Sequence, residues 1–471
     1  MLSLYNRRII YLLIYLQDDM PSLNSPIANS NFSLPPLRLG IAGLGTVGMG
    51  VISLLKDNNK LISTRCGRDI IITAVSARDV AKNRGLDLSS IRFEADPQAL
   101  VKADDVDVIL ELIGGSEGTA KELVDSAIIA GKPVVTANKA LLAHHGATLS
   151  KLAAMHNSSV AFEAAVAGGI PLIKTLREGL GANAYTRVEG ILNGTCNYIL
   201  TTMERTGSDF EQTLKVAQEL GYAEADPSFD VDGMDTAHKL AIISALAFGT
   251  TPNMKNIYVE GIRDISLQDI NFAKELGYRI KLLGITALNQ TGIEQRVHPC
   301  MVPLTSPLAT VDDAFNAVSI EGNYVGRVFL EGRGAGAKAT ASAVVADVMD
   351  IARLGSMPAL FPANSALMHG AEVETQLPEV LFSSMDKVES GYYLRLGVLD
   401  RSGVLSKVAG AFAKANISVR SLIQHAHKPG EPVQIVLITH KTNEAAMREA
   451  LETITGLEPV ISKPKMIRIE E

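Results

Sequence analysis

The sequence predicts an α/β chain of three folded domains, on three observations. A short apolar strand, Leu37 to Ile41, runs straight into Gly43-Leu-Gly45-Thr-Val-Gly48 and then an amphipathic helix. Strands and helices alternate from there to about residue 160, the pattern of a parallel doubly wound sheet. Towards the other end the order becomes βαββαβ, the pattern of a ferredoxin-like module. The expected division is a leader over 1–36, a doubly wound domain over 37–160, an α+β domain over 161–336, a return helix with connector over 337–386, and the C-terminal module over 387–471.

At 471 residues, 47% hydrophobic and 20% charged, the chain can bury two or three sizeable cores. Its net charge of −7 comes from interspersed residues, which argues against nucleic acid or an anionic membrane as main partner. Cys66, Cys196 and Cys300 have no metal-ligand spacing, so free thiols in a reducing, cytoplasmic compartment are expected. Arg7 and Arg8 precede IIYLLIYL, which resembles the hydrophobic region of a signal peptide. Gln17, Asp18 and Asp19 replace a cleavage site, and a bilayer span needs about 20 apolar residues. Met20 is the better start on this reading, with residues 21–36 a flexible leader.

The glycine run after the first strand is a GxGxxG fingerprint in its proper setting. Its glycines permit a tight turn, close approach of backbone to a pyrophosphate and close helix packing, while the helix start at Thr46 and Val47 offers free N–H groups. A second strand, Ile70 to Ser76, ends at Arg78, where an acid would hold a ribose diol. Arg78, with Lys82 and Arg84, favours the 2′-phosphate of NADP instead. A strand over Val106 to Leu112, a helix from Thr119 to Ala130 and a strand over Pro133 to Thr136 follow. Ser116 and Lys139 lie beyond strand ends, where ligands of such sheets bind.

Val160 to Val166 reads as another strand, with a helix starting at Pro171. Glu163 inside that apolar run would be costly to bury without a partner, and a cation would provide one. Further on, Gly221 to Lys239 packs Glu224, Asp226, Asp230, Asp232, Asp235, His238 and Lys239 into one stretch. The helix before it carries Ser208 and Glu211 at capping-box spacing and stops at Gly221. The next begins near Gly233, so Asp235 and Lys239 share one face. A solvated i,i+4 pair is one reading of them. A calcium loop fails, because the register that seats Asp230, Asp232 and Gly233 puts Lys239 where a bidentate Glu belongs. A polar substrate site, with carboxylates for a cationic group and a lysine for proton transfer, is the third.

Taken together, GLGTVG, TANKALLA, FEAAVAGGIP, LNGTCNYIL, GYAEADPSFDVDGMDTAHK and GRGAGAKATASAVVADV resemble the homoserine dehydrogenase family from about Leu37 to Arg353. The resemblance implies a Rossmann-type nucleotide domain and NAD(P)-dependent interconversion of L-aspartate 4-semialdehyde and L-homoserine. It implies that Glu224 and Asp235 contact the amino acid substrate, with Lys139 and Lys239 at the reacting carbon. It also matches Glu163 and the carbonyls of Val166, Gly168 and Ile170 to a monovalent cation site, usually sodium, and brings Gly334 and Gly336 back to the nucleotide domain. The proton donor is then assigned to Lys239, with Lys139 as second candidate and Asp235 as its orienting partner.

Residues 354–386 read as a connector with an amphipathic segment around Asn364 to Gly370. The last stretch resembles an ACT domain, with Asp400, Gly403, Val404 and Leu405 in its strand-to-helix turn and Asn416 before its second strand. That likeness implies threonine feedback and pairing of sheets across subunits in a homodimer or homotetramer, against the alternative of a module that only assembles. A lyase or isomerase with tightly held NAD, and a non-catalytic amino acid and nucleotide sensor, are the rival readings. The joint presence of GLGTVG, Lys139, Asp235 and Lys239 speaks against both.

Overall fold

A computed structural model describes residues 34–80, 82–355, 381–424 and 432–470. The leader before residue 34 and the amphipathic segment around Asn364 to Gly370 therefore lie outside the described residues. Among the described residues no helix is long and apolar enough to cross a membrane.

The first sheet has six parallel strands: β1 Leu37–Ala42, β2 Ile70–Ser76, β3 Arg92–Glu94, β4 Val108–Glu111, β5 Val134–Thr136 and β6 Val160–Ala161. Their order, β3-β2-β1-β4-β5-β6, is the doubly wound arrangement expected from the alternation. Leu39, Ile41, Ile109 and Leu110 are fully buried, because both faces are covered by helices and the central strands are mainly apolar. One covering helix, Ala337–Leu354, comes from far downstream and packs on the Thr46–Asp57 helix that follows β1.

The expected strand over Val160 to Val166 is cut short. β6 ends at Ala161 and the chain turns into a 3₁₀ helix, Glu163–Ala165. The cause is Glu163, whose carboxylate accepts the backbone N–H groups of Ile173 and Lys174, 2.9 Å each, and so folds inward as the cap of the next helix. The expected capping box is also replaced. Asp209, not Ser208, caps the Phe210–Glu219 helix by accepting the Gln212 N–H at 2.8 Å, while Ser208 bonds to Thr206.

A second, mixed sheet is built from β7 Tyr185–Ile191, β8 Tyr258–Val259, β9 Tyr278–Asn289, β10 Gly292–Pro303, β11 Phe315–Gly322 and β12 Gly326–Arg333. Helices Gly194–Thr206, Met234–Phe248 and Leu267–Glu275 pack on it. The C-terminal segment contributes β13 Glu389–Leu399, β14 Val419–Gln424, β15 Pro432–Thr439, β16 Thr442–Asn443 and β17 Lys465–Ile469, with helices Val404–Lys414 and Glu444–Thr455. Apart from the two-residue β16, which lies off the main sheet, these keep the βαββαβ order, but their sheet is not free-standing. β17 pairs in parallel with β10, Cys300 opposite Arg468 and Met301 opposite Ile469, giving one continuous order β12-β11-β7-β9-β10-β17-β13-β15-β14.

The seam between β10 and β17 is charged and buried. Glu470 lies 2.6 Å from Arg187 and 2.5 Å from Arg296, and although burial alone would raise its pKa, the two arginines hold it well below the usual carboxylate range. Arg468 pairs with the fully buried Glu444, and Arg395 reaches Asp269 of the Leu267–Glu275 helix at 2.7 Å. Removing one partner of such a pair strands the other in a low dielectric, so the seam fixes register more than it adds stability.

Candidate active site

The glycine loop after β1 has two kinds of glycine. Gly43 has φ 102, and a Cβ there would lie 2.3 Å from the Leu112 carbonyl, so only glycine fits. Gly45 has ordinary φ −81, and a Cβ there would meet nothing within 4 Å. The space over Gly45 faces the uncapped start of the Thr46–Asp57 helix, with Thr46, Val47 and Gly48 in its first turn. Backbone N–H groups with open space before them suit a pyrophosphate.

At the end of β4, Glu111 is fully buried and accepts the N–H groups of Ile113 and Gly114 at 2.9 Å and the Thr136 hydroxyl at 2.6 Å. Asn138 accepts the Leu141 N–H and donates to the Gly115 carbonyl at 2.7 Å, beside the half-buried Ser116. The ends of β4 and β5 are thereby locked together, and Lys139, first residue of the Lys139–Met155 helix, projects from that lock. Arg78 is exposed at the end of β2, while Arg84 donates to the backbone of Lys82 and Leu44.

Lys139 meets the second domain at Asp235. Its Nζ lies 3.2 Å from Asp235 Oδ1 and 5.8 Å from the centre of the Phe229 ring. Lys239 Nζ lies 2.7 Å from Asp235 Oδ2 and donates to the Leu192 carbonyl at 2.5 Å. Asn193, which caps the Gly194–Thr206 helix, donates 2.8 Å bonds to both Asp235 Oδ2 and Asp230 Oδ1. Asp235 is 5% exposed and Lys239 9%, which excludes the solvated surface pair. Burial would raise the Asp235 pKa, yet Lys239 and Lys139 outweigh it and hold the carboxylate at about 2. Burial also raises Asp230, with Asp235 adding to the effect.

Glu224 stands apart. It is exposed, and among the described residues its carboxylate makes no hydrogen bond to this network. His238, one residue before Lys239, packs edge-on against His144 and Phe229, and burial, with His144 and Lys139 nearby, lowers it to about 4.

Glu163 opens a turn in which Ala167 and Gly168 both have positive φ, 57 and 44, followed by Ile170. A Cβ on Gly168 would lie 2.4 Å from the Gly334 carbonyl, and Gly169 donates to Arg333, so this turn and the loop of Gly334 and Gly336 are one packed unit. Burial pushes Glu163 up to about 7 despite its two backbone donors. In the C-terminal module, Gly403 and Leu405 are exposed at the start of the Val404–Lys414 helix, with Asp400 half-buried and Val404 in the core. Asn416, at φ 56, follows the far end of that helix, about 16 Å away at 1.5 Å per residue, so one chain does not bring these five together.

Glu111, Asn138 and Asn193 were not singled out in the sequence. The signal for Glu111 was the one that marked Glu163, a lone acid inside an apolar strand. The two asparagines each precede a helix, where an N-cap reading finds them.

The chain matches three family models: "Homoserine dehydrogenase, NAD binding domain" over residues 43–163, "Homoserine dehydrogenase" over 171–349 and "ACT domain" over 392–458. It is 47% identical to a homoserine dehydrogenase of Neisseria gonorrhoeae, covering 93% of this chain and 99% of that one. A Helicobacter pylori homoserine dehydrogenase is 40% identical over 92% and 99%. Among solved structures, a homoserine dehydrogenase from Thiobacillus denitrificans superposes with TM-score 0.85 at 42% identity, covering 93% and 98%. A hyperthermophilic archaeal homoserine dehydrogenase in complex with NADPH gives 0.58 at 27%, covering 69% of this chain and 99% of its own.

The two glycine types lead to opposite outcomes. Gly45→Val is expected to leave the melting temperature unchanged and raise the KM for nicotinamide nucleotide at least tenfold. Gly43→Ala is expected to destabilise the fold by about 1–3 kcal/mol through its backbone strain. Thermal melts beside nucleotide titrations check both, and normal nucleotide affinity in Gly45→Val would remove the loop from the site.

Proposed function

The chain belongs to the homoserine dehydrogenase family, and on that premise we propose how its residues divide the work of that oxidoreductase. The reaction interconverts L-aspartate 4-semialdehyde and L-homoserine, and the bound nicotinamide supplies or receives the hydride. Lys239 is the proton donor to the carbonyl oxygen and, in reverse, the base for the hydroxyl. Lys139 is the second ammonium, stabilising the charge that gathers on oxygen. Asp235 orients both. The observation that carries this reading is the buried Asp235 carboxylate, bound by ammonium groups from two domains at 2.7 and 3.2 Å. The substrate's own ammonium is assigned to Glu224 and Asp235, with Asp230 beside Asp235 on the same Asn193 amide.

NADP is the favoured cofactor, supported by the exposed Arg78 at the end of β2. A monovalent cation, sodium, is proposed at Glu163 with the carbonyls of Val166, Gly168 and Ile170. The carboxylate there uses two of about four lone-pair sites on backbone N–H groups and keeps the rest for a cation. Its charge would hold the turn against the Gly334 loop, a structural service to the cleft. The C-terminal module is proposed as a threonine-responsive element whose ligand contacts, Asp400 to Leu405 and Asn416, come from two copies of the chain, because one copy separates them. That requires a homodimer or homotetramer. A cytoplasmic setting accords with three buried free cysteines.

Homoserine oxidation followed by nicotinamide absorbance tests these points. Lys239→Ala is expected to lower kcat by about a thousandfold, with cofactor KM changed little, consistent with loss of a proton-transfer group and its charge. Near-normal turnover would sink the assignment. Arg78→Ala is expected to cut the NADP-over-NAD preference in kcat/KM at least fivefold, and an unchanged ratio removes Arg78. L-threonine titrated into the same assay is expected to inhibit; undiminished turnover would leave the module an assembly element.

A further inference from the structure

The catalytic lysine of the second domain stands on a helix whose launching turn is propped from below by the C-terminal module. Arg468, on β17 and 1% exposed, donates from Nε and Nη2 to the carboxylate of Glu444, at the start of the module's second helix. Its remaining nitrogen, Nη1, donates to Glu260 Oε2 at 2.8 Å, and its guanidinium lies 4.9 Å from the Tyr258 ring centre. Tyr258 closes the set by donating to Glu260 at 3.1 Å.

The strip Tyr258 to Ile262 is the underside of the active-site turn. Glu260 donates its N–H to Val297 of β10, and Ile262 donates to Val231 at 2.8 Å. Between them Gly261 lies so close that a Cβ would stand 2.2 Å from the Val231 carbonyl and 2.6 Å from Asp232 Cα. Asp232 leads into Gly233, at φ 89, which starts the Met234–Phe248 helix. Two residues later comes Asp235, whose carboxylate must reach Lys139 on the other domain.

We propose that Arg468 is a positioning residue for the active site: through Glu260 it holds the Tyr258–Ile262 strip under the Val231–Gly233 turn and thereby fixes Asp235 and Lys239 relative to Lys139. The proposal rests on the catalytic assignment above. It makes the last strand of the C-terminal module part of the dehydrogenase machinery, and gives any ligand of that module a route of packed backbone to the reacting groups. Such a route needs little movement, because displacements near 1 Å at a reacting centre cost large factors in rate.

Glu260→Ala in the full chain is the cleanest test. Its side chain is 31% exposed and Arg468 keeps Glu444, so the variant is expected to fold, which a thermal melt checks. The expected result is a fall in kcat of about tenfold with cofactor KM within twofold of the unaltered chain. Arg468→Met, which also strands the buried Glu444 carboxylate, should lose at least as much, and adding Glu260→Ala to it should lower kcat no further, because Glu260 acts on the turn through Arg468. Glu260→Gln, which retains an acceptor, should recover most of the loss. A kcat within twofold of normal in Glu260→Ala overturns the proposal, as does an equal loss in kcat and cofactor affinity, which marks general loosening. Turnover lost in Lys239→Ala but normal in Glu260→Ala would sink this inference alone, while normal turnover in Lys239→Ala would sink the catalytic reading beneath it.

Discussion

The constraint on which this structure turns is one buried carboxylate shared by two cations. Asp235 receives Lys239 from its own helix, Lys139 from the nucleotide domain and the Asn193 amide from a third element. Left alone, a carboxylate at that depth would protonate or draw in water; paired as it is, it stays ionised near a pKa of about 2. The lysines in turn are held at fixed distances from one another by a single acceptor. That geometry requires the two domains to keep their relation, which explains the number of long-range ties around it. The downstream helix Ala337–Leu354 caps the nucleotide domain, and Asp347 on it accepts the Glu163 N–H beside the start of the second domain.

The shared sheet extends the same logic. A module joined only by a linker can be cut away with little effect on the rest of the chain. Here the module's last strand hydrogen-bonds to β10, and Glu470 just after it pairs with the half-buried Arg187 and the buried Arg296. On our proposal that strand is part of the support for the active-site turn.

Much of the fold was legible in the sequence because its signals are local. The glycine fingerprint, the apolar run Ile70–Ser76 and the βαββαβ order each depend on neighbours in the chain, and each appears where periodicity put it. Asp235 and Lys239 were legible as a pair because four residues is one helical turn. Misreadings arose where a side chain competed with propensity. Glu163 turned a strand into a 3₁₀ helix by seeking backbone donors, and Asp209 took the cap that Ser208 was expected to hold. The pairing of β17 with β10 left no trace in the sequence, since parallel pairing between distant strands has no turn to announce it. The separation of Glu224 from Asp235 is of the same kind: shared loop membership does not fix direction.

That distant pairing also bears on how the protein is made. During synthesis at about 5–20 residues per second, β10 emerges long before β17, with its Cys300–Met301 edge open and Arg187 and Arg296 without their acid. An open strand edge beside apolar surface is a template for pairing with another chain. The nascent enzyme therefore passes through an interval in which its central sheet is unfinished, and its yield depends on how well that edge is shielded until the final strand arrives.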